Sequence, residues 1–163
     1  MPGKSIPLDE ILTLLEEAPS RLAALTAGMT PSLLRAAPRP GEWSAVEVLA
    51  HLRSCADVWG DCIGTILSQE RPTIRAVNPR SWIKRTDYRE QEFQPSLRAY
   101  MAQREKLLAV LKPLPRRSWA RSAAVTGAGA PLERTVLFYA QWMARHERRH
   151  ILQISNIVDA PGK

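Results

Sequence analysis

Three imidazoles carry the first chemical hint in this sequence. The 163 residues contain only three histidines. Two of them, His146 and His150, stand four residues apart in the run His146-Glu147-Arg148-Arg149-His150. On a helix that spacing puts both rings on one face, about 6 Å apart along the axis. Ring nitrogens so placed can meet one divalent ion at about 2.0–2.1 Å. The run is also a literal H-E-x-x-H, the zinc-protease pattern in which the glutamate works through the metal-bound water. The downstream part of that pattern is missing: after His150 there is no further histidine or glutamate, and Asp159 is the sole later acid. A third ligand must come from upstream, where the remaining imidazole is His51. Its stripe (Glu47, His51, Cys55, Val58, Cys62) holds apolar and small residues and is expected to point inward. Tyr139, Trp142, His146, His150, Gln153 and Ile157 share a face in the same way. Buried polar rings need partners, and a metal would satisfy them together.

The neighbours carry weaker signals. Cys55, one turn from His51, could be a fourth ligand, although a cysteine in an apolar stripe is more often a small core residue. Glu147 is turned about 100° from its ligand neighbour, which suits a surface salt bridge better than a general base. Trp43 is expected to pack as a hydrophobic staple before the helix that carries His51. Trp142 is expected to wall the site as core, and Trp82 and Tyr88 either line a pocket or anchor a loop. No residue is singled out as catalytic.

The elements that must position these groups are helical. Strand-like alternation is absent, and long segments repeat apolar residues at three- and four-residue steps. A first helix is expected over 8–27, with Pro19 kinking or breaking it. A proline-bearing linker follows over 29–41. Ser44-Ala45-Val46-Glu47 is a capping box and starts a second helix that runs to about Gln69. In that helix Gly60 and Gly64 weaken the backbone but permit close packing. A polar connection over 70–93 is long for a bundle and suggests a crossover between parallel neighbours, or a lid. Its stretch from Arg75 to Arg89 is expected to order only on binding or dimerisation. A third helix fits 95–112, with Leu97, Tyr100, Met101, Leu107, Leu108 and Leu111 inward. A loop over 117–131 leads to a last helix over 132–158, stopped by Pro161-Gly162. Four such helices without strands make a single all-α domain over 1–163, a four-helix bundle with a long crossover after helix two.

Together the two histidine segments resemble a known family. Trp43-Ser44-Ala45-Val46-Glu47-Val48-Leu49-Ala50-His51-Leu52 is similar to the helix-two signature of the DinB/YfiT-like metalloprotein superfamily. Thr135, then His146-Glu147-Arg148-Arg149-His150-Ile151-Leu152-Gln153-Ile154, resembles its last-helix signature. The resemblance spans nearly the whole chain. It implies a four-helix bundle, often a homodimer, that binds zinc or nickel through His51, His146 and His150. It also implies a metal-dependent enzyme, either hydrolase-like or a transferase that uses a low-molecular-weight thiol. Arg149 or Arg80 would then hold an acidic thiol or another acidic small-molecule substrate. The alternative is a metal- or ligand-binding protein without catalysis.

Bulk composition agrees with a globular chain, at 45% hydrophobic and 24% charged. No apolar run reaches membrane-spanning length, and the start of the chain lacks a secretory h-region. Cys55 and Cys62 are two helical turns apart, too far for a disulfide. A reducing, cytoplasmic setting is expected. The net charge of +7 attracts anions. It is spread along the chain with no nucleic-acid-binding motif, so solvated surface is favoured over nucleic acid as its explanation.

Overall fold

The structure, a computed structural model, describes residues 4–160. Four long helices form the bundle: α1 (Leu8–Thr26), α3 (Ala45–Ser68), α5 (Phe93–Leu111) and α6 (Val136–Val158). A one-turn helix, α2 (Pro31–Arg35), lies within the first linker. Another, α4 (Pro79–Trp82), lies within the crossover. The sequence signals for the long helices hold. Ser44 Oγ accepts from the Glu47 amide at 3.1 Å, and Glu47 Oε1 accepts from the Ser44 amide at 3.1 Å, closing the capping box. Thr135 caps α6 by accepting from the Phe138 amide at 2.9 Å. Pro19 does not break α1, which is continuous through it. The expected stop at Pro161-Gly162 lies outside the described residues.

Helix directions follow from which residues meet. Arg53 bonds Ser96 and Asp57 bonds Gln103, so numbers rise together and α3 and α5 are parallel. Ile6 reaches Gln141 and Glu10 reaches Arg148, so α1 and α6 are parallel as well. Between these pairs the helices oppose: Trp59 meets Trp142, while His51, earlier on α3, meets His150, later on α6. Two parallel neighbours cannot be joined by a short turn. The connection after α3 is therefore the long crossover that its length suggested.

The expectation of a chain without strands fails. Three short strands are present: β1 (Thr73–Arg75), β2 (Ser122–Thr126) and β3 (Leu132–Thr135). β1 pairs parallel to β2, and β2 pairs antiparallel to β3. The last helix accordingly begins at Val136, not Leu132. Strands of three to five residues show too little alternation to read from sequence. The legible signal was in the hairpin: Gly127 (φ +89°) and Gly129 (φ +87°) take conformations that L side chains avoid. Ala123 and Val125 of β2 are buried, and Ala123 packs into the apolar cluster at that end of the bundle.

The buried apolar residues form two clusters. One, below the sheet, includes Ile11, Leu15, Ile63, Leu111, Val136 and Met143. The other, at the far end, includes Leu22, Leu34, Leu49, Phe93, Tyr100 and Ile154. Between them lies a layer of buried polar side chains: His51, Arg104, His146 and Glu147. Met101, expected inward, is instead 38% exposed on α5. A Cβ at Gly60 or Gly64 would meet nothing within 4 Å, so neither serves close packing among the described residues. Among those residues no helix is long and apolar enough to cross a membrane.

Candidate metal centre

The three histidines, two on α6 and one 95 residues earlier on α3, meet at one point. His51 Nε2 lies 3.1 Å from His146 Nε2, and His146 Nε2 lies 3.1 Å from His150 Nε2. The rings of His51 and His150 are 4.9 Å apart between centroids. The capping box fixes where α3 begins, and His51 falls in its second turn, facing α6.

This geometry fits a shared ion. Two nitrogens bound at about 2.0–2.1 Å, with adjacent ligands at tetrahedral or octahedral angles, lie about 2.8–3.4 Å apart. The observed 3.1 Å falls inside that interval. Hydrogen bonding among the rings is a poor substitute, because His146 Nε2 faces two nitrogens and a neutral ring carries one proton. His146 Nδ1 is itself buried without a hydrogen-bond partner.

The rings are also in the right protonation state. Burial lowers the pKa of His51 to about 4, helped by the His150, Arg80 and Arg89 charges. Burial lowers His146 to about 3, with His150 and His51 adding to the effect. His150 is lowered mainly by burial, against the opposing hydrogen bond to Gln153. At neutral pH all three are uncharged, as metal ligands must be. His150 Nδ1 donates to Gln153 Oε1 at 2.7 Å. That bond leaves Nε2 unprotonated and aimed at the other two rings, the usual way a ligand imidazole is oriented.

Cys55 sits close behind. Its Sγ is 3.6 Å from His51 Nε2 and 4.0 Å from His146 Nε2. The thiol is buried, and burial pushes its pKa up to about 12, so it is neutral. His51, Cys55 and His146 form a group whose ligand atoms lie within 4.8 Å of one another. Both options for Cys55, small core residue and ligand, therefore place it at the centre.

Aromatic walls surround the rings. Trp59 meets His146 edge to face at 4.9 Å between centroids. Trp43 lies 5.1 Å from the His51 ring and 6.4 Å from that of His150, stacked on the latter. Trp43 was expected only as a staple; it lines the centre because the cap of α3 stands beside His150. Trp142 lines the mouth, but at 45% exposure it is not the core residue expected.

The centre opens into a cleft of about 420 Å³ bordered by Asn78, Pro79, Arg80, Trp142, Arg149 and Gln153. Among the described residues Arg80 and Arg149 are its charged residues, and no carboxylate lines it. Arg80 comes from the crossover, which is bonded to α3. Ser54 Oγ donates to the Pro79 carbonyl at 2.6 Å. Asp57 accepts from Trp82 Nε1 at 3.1 Å, from the Tyr88 hydroxyl at 2.6 Å, and from Gln103. Arg53 lies over the Tyr88 ring at 3.7 Å. Trp82 and Tyr88 are thus anchors of the crossover.

Glu147 is turned away from the centre. It is 2% exposed and pairs with Arg104 of α5, where a surface salt bridge was expected. The helical angle was read correctly, but the opposite side of α6 is covered by α1 and α5. This removes Glu147 as a protease-like base.

Comparison with known proteins bears on the same features. A family model described as the DinB superfamily matches residues 14–154. A protein of Geobacillus thermodenitrificans (strain NG80-2), named provisionally as a metal-dependent hydrolase, is 24% identical over 153 residues, 89% of this chain and 82% of that protein. Among solved structures, YfiT from Bacillus subtilis is described as a probable metal-dependent hydrolase with an unusual four-helix bundle topology. It superimposes with a TM-score of 0.80 at 23% identity, covering 96% of this chain and 90% of its own. TT2238, described as a four-helix bundle protein, gives a TM-score of 0.62 at 19% identity, covering 91% and 98%. At these identities the two structures establish the fold.

Proposed function

The chain belongs to the DinB superfamily, and from that premise we propose a metal-dependent enzyme whose divalent ion, zinc or nickel, is held by His51, His146 and His150. The observation that carries the proposal is the meeting of ring nitrogens from two helices, with Nε2 of His146 at 3.1 Å from Nε2 of both His51 and His150, a spacing suited to one ion. Three protein ligands leave coordination positions open, as catalytic sites do. A bound ion would supply Lewis acidity and a water or thiol deprotonated near neutral pH.

The surrounding residues have definable tasks. Gln153 holds His150 in the tautomer that presents Nε2 inward. Trp43 and Trp59 shield the rings from bulk water. Arg80 and Arg149 give the cleft a positive mouth, suited to an anionic small-molecule substrate. Hydrolysis is the first reaction class, in keeping with the relative named for it. Thiol transfer is the second reading, favoured by the cleft having, among the described residues, no carboxylate to act as general base. A low-molecular-weight acidic thiol needs no such base once its proton is lost, and its carboxylates suit the two arginines.

Metal analysis of the purified protein tests the centre. One equivalent of zinc or nickel is expected, and His146→Ala is expected to lose it. Full retention by that variant, or no uptake of either ion by the parent protein, would sink the proposal. Turnover of anionic esters and amides, with and without small acidic thiols, then separates hydrolase, transferase and a binding protein without catalysis.

A further inference from the structure

Pro19, Leu15, Arg104 and Glu147 are distant in sequence and contiguous in space. A proline inside a helix has no N–H, so the carbonyl four residues earlier loses its donor, and the ring pushes that carbonyl outward. In α1 the carbonyl so freed is that of Leu15. It accepts instead from Arg104 Nη1 of α5 at 2.7 Å. The same Nη1 donates to Glu147 Oε1 of α6 at 2.8 Å, and Nη2 donates to Glu147 Oε2. Nη2 also lies 3.7 Å from Met143 Sδ, one turn before Glu147. Both charged side chains are 3% exposed.

The arginine thereby ties three helices at one level. That level is the one at which α6 turns His146 toward α3. Glu147 directly follows His146, so fixing its direction fixes the rotation of α6 about its own axis. A rotation of α6 would move Nε2 of His146 and of His150 together relative to His51. No other buried charged group on α6 opposes such a rotation among the described residues. Apolar contacts alone constrain it weakly, since a helix face can slide among similar side chains, whereas a two-pronged Arg–carboxylate pair is directional.

We propose that Arg104 and Glu147, seated on the carbonyl that Pro19 frees, are positioning residues that set the rotation of α6 and so bring His146 and His150 into register with His51. This rests on the three-histidine centre proposed above. Glu147 touches neither substrate nor ion; it acts through its neighbour.

The test must separate positioning from plain stability. Replacing both partners by apolar residues, as in Arg104→Met/Glu147→Leu, removes the pair without leaving a buried lone charge, a change that often preserves or raises stability. Pro19→Ala leaves the pair intact but restores an N–H that competes for the Leu15 carbonyl, and it favours the helix. Zinc affinity is measured by competition with a chromophoric chelator, and ligand geometry by the visible bands of the cobalt-substituted protein.

Positioning predicts zinc binding weakened by about tenfold or more in the double variant, the scale seen when groups supporting ligands are lost, with altered cobalt bands. It predicts a smaller loss in Pro19→Ala alongside a higher Tm, because stability and affinity then move in opposite directions. Wild-type zinc affinity and cobalt bands in Pro19→Ala, or in a folded double variant, overturn the proposal. Failure of the wild-type protein to bind zinc or cobalt at all instead strikes the three-histidine centre, and the positioning role falls with it.

Discussion

Two buried polar clusters share one turn of α6, and they are finished differently. Glu147 faces α1 and α5, where Arg104 and the Leu15 carbonyl complete each other's hydrogen bonds. His146, its neighbour, faces α3, where three ring nitrogens point at each other and one more is buried without a partner. Each side holds one buried polar atom without a partner, the Tyr100 hydroxyl beside Arg104 and Nδ1 of His146. The difference is that the ion pair satisfies its charges within the chain, whereas the facing ring nitrogens carry too few protons to satisfy one another. Buried polar groups are normally satisfied, so the facing ring nitrogens, open to a cleft, are where an outside group belongs. The two also differ in access: the ion pair is sealed, whereas the histidines open on a cleft with a positive mouth.

Single substitutions on the two sides should separate stability from ligand binding. Glu147→Ala strands the Arg104 charge in the interior and should cost about 3–5 kcal/mol, read as a fall in the urea midpoint. His146→Ala in metal-free protein should cost far less, because it removes a ring whose Nδ1 has no partner. Equal losses for the two variants would erase the contrast.

Acidity should act on the histidine side. His51 and His146 titrate at about 4 and about 3 in the fold, against 6.5 for a free ring. An unfolded chain therefore takes up protons that the folded rings refuse. Their contribution to stability is complete above pH 6.5 and is lost as pH falls toward 4. The slope is on the order of 1 kcal/mol per pH unit for each ring. Denaturation of metal-free protein at pH 7 and pH 5 measures it, and His146→Ala should flatten the difference. A midpoint that does not move between those pH values would mean that the rings are solvated.

At the cleft mouth, Arg149→Ala and Arg80→Ala should leave stability within about 0.5 kcal/mol, as exposed surface changes do. Each should raise KM for an anionic substrate several-fold with a smaller change in kcat. An unchanged KM in both variants would remove the arginines from recognition. The smallest effect is expected from Cys55→Ala: if three imidazoles suffice, metal content stays at one equivalent, and loss of the ion would make the thiol a fourth ligand.

The long helices were legible because each had a local cause. The capping box at Ser44, the apolar steps along α3 and the four-residue spacing of His146 and His150 act within a few turns of chain. The strands were not legible, since β1 and β2 gain meaning only by pairing across about fifty residues. Glu147 was misread for a similar reason. Its angle on the helix could be counted, but whether that direction meets water or Arg104 depends on where α5 lies. Trp43 gave its staple position and withheld its contact with His150, which requires α3 and α6 to be adjacent.

From sequence alone came the residue types able to bind an ion, their placement on two helices, and a crossover too long for an ordinary turn. Periodicity and capping are short-range effects, so they survive in a one-dimensional string. Only the folded chain decided that Nε2 of His146 lies 3.1 Å from Nε2 of both His51 and His150, that among the described residues the cleft carries arginines without acids, and that a proline in α1 shapes the surroundings of a glutamate in α6. Those are relations between surfaces brought together by packing, and no local stretch of residues encodes the distance between two helices.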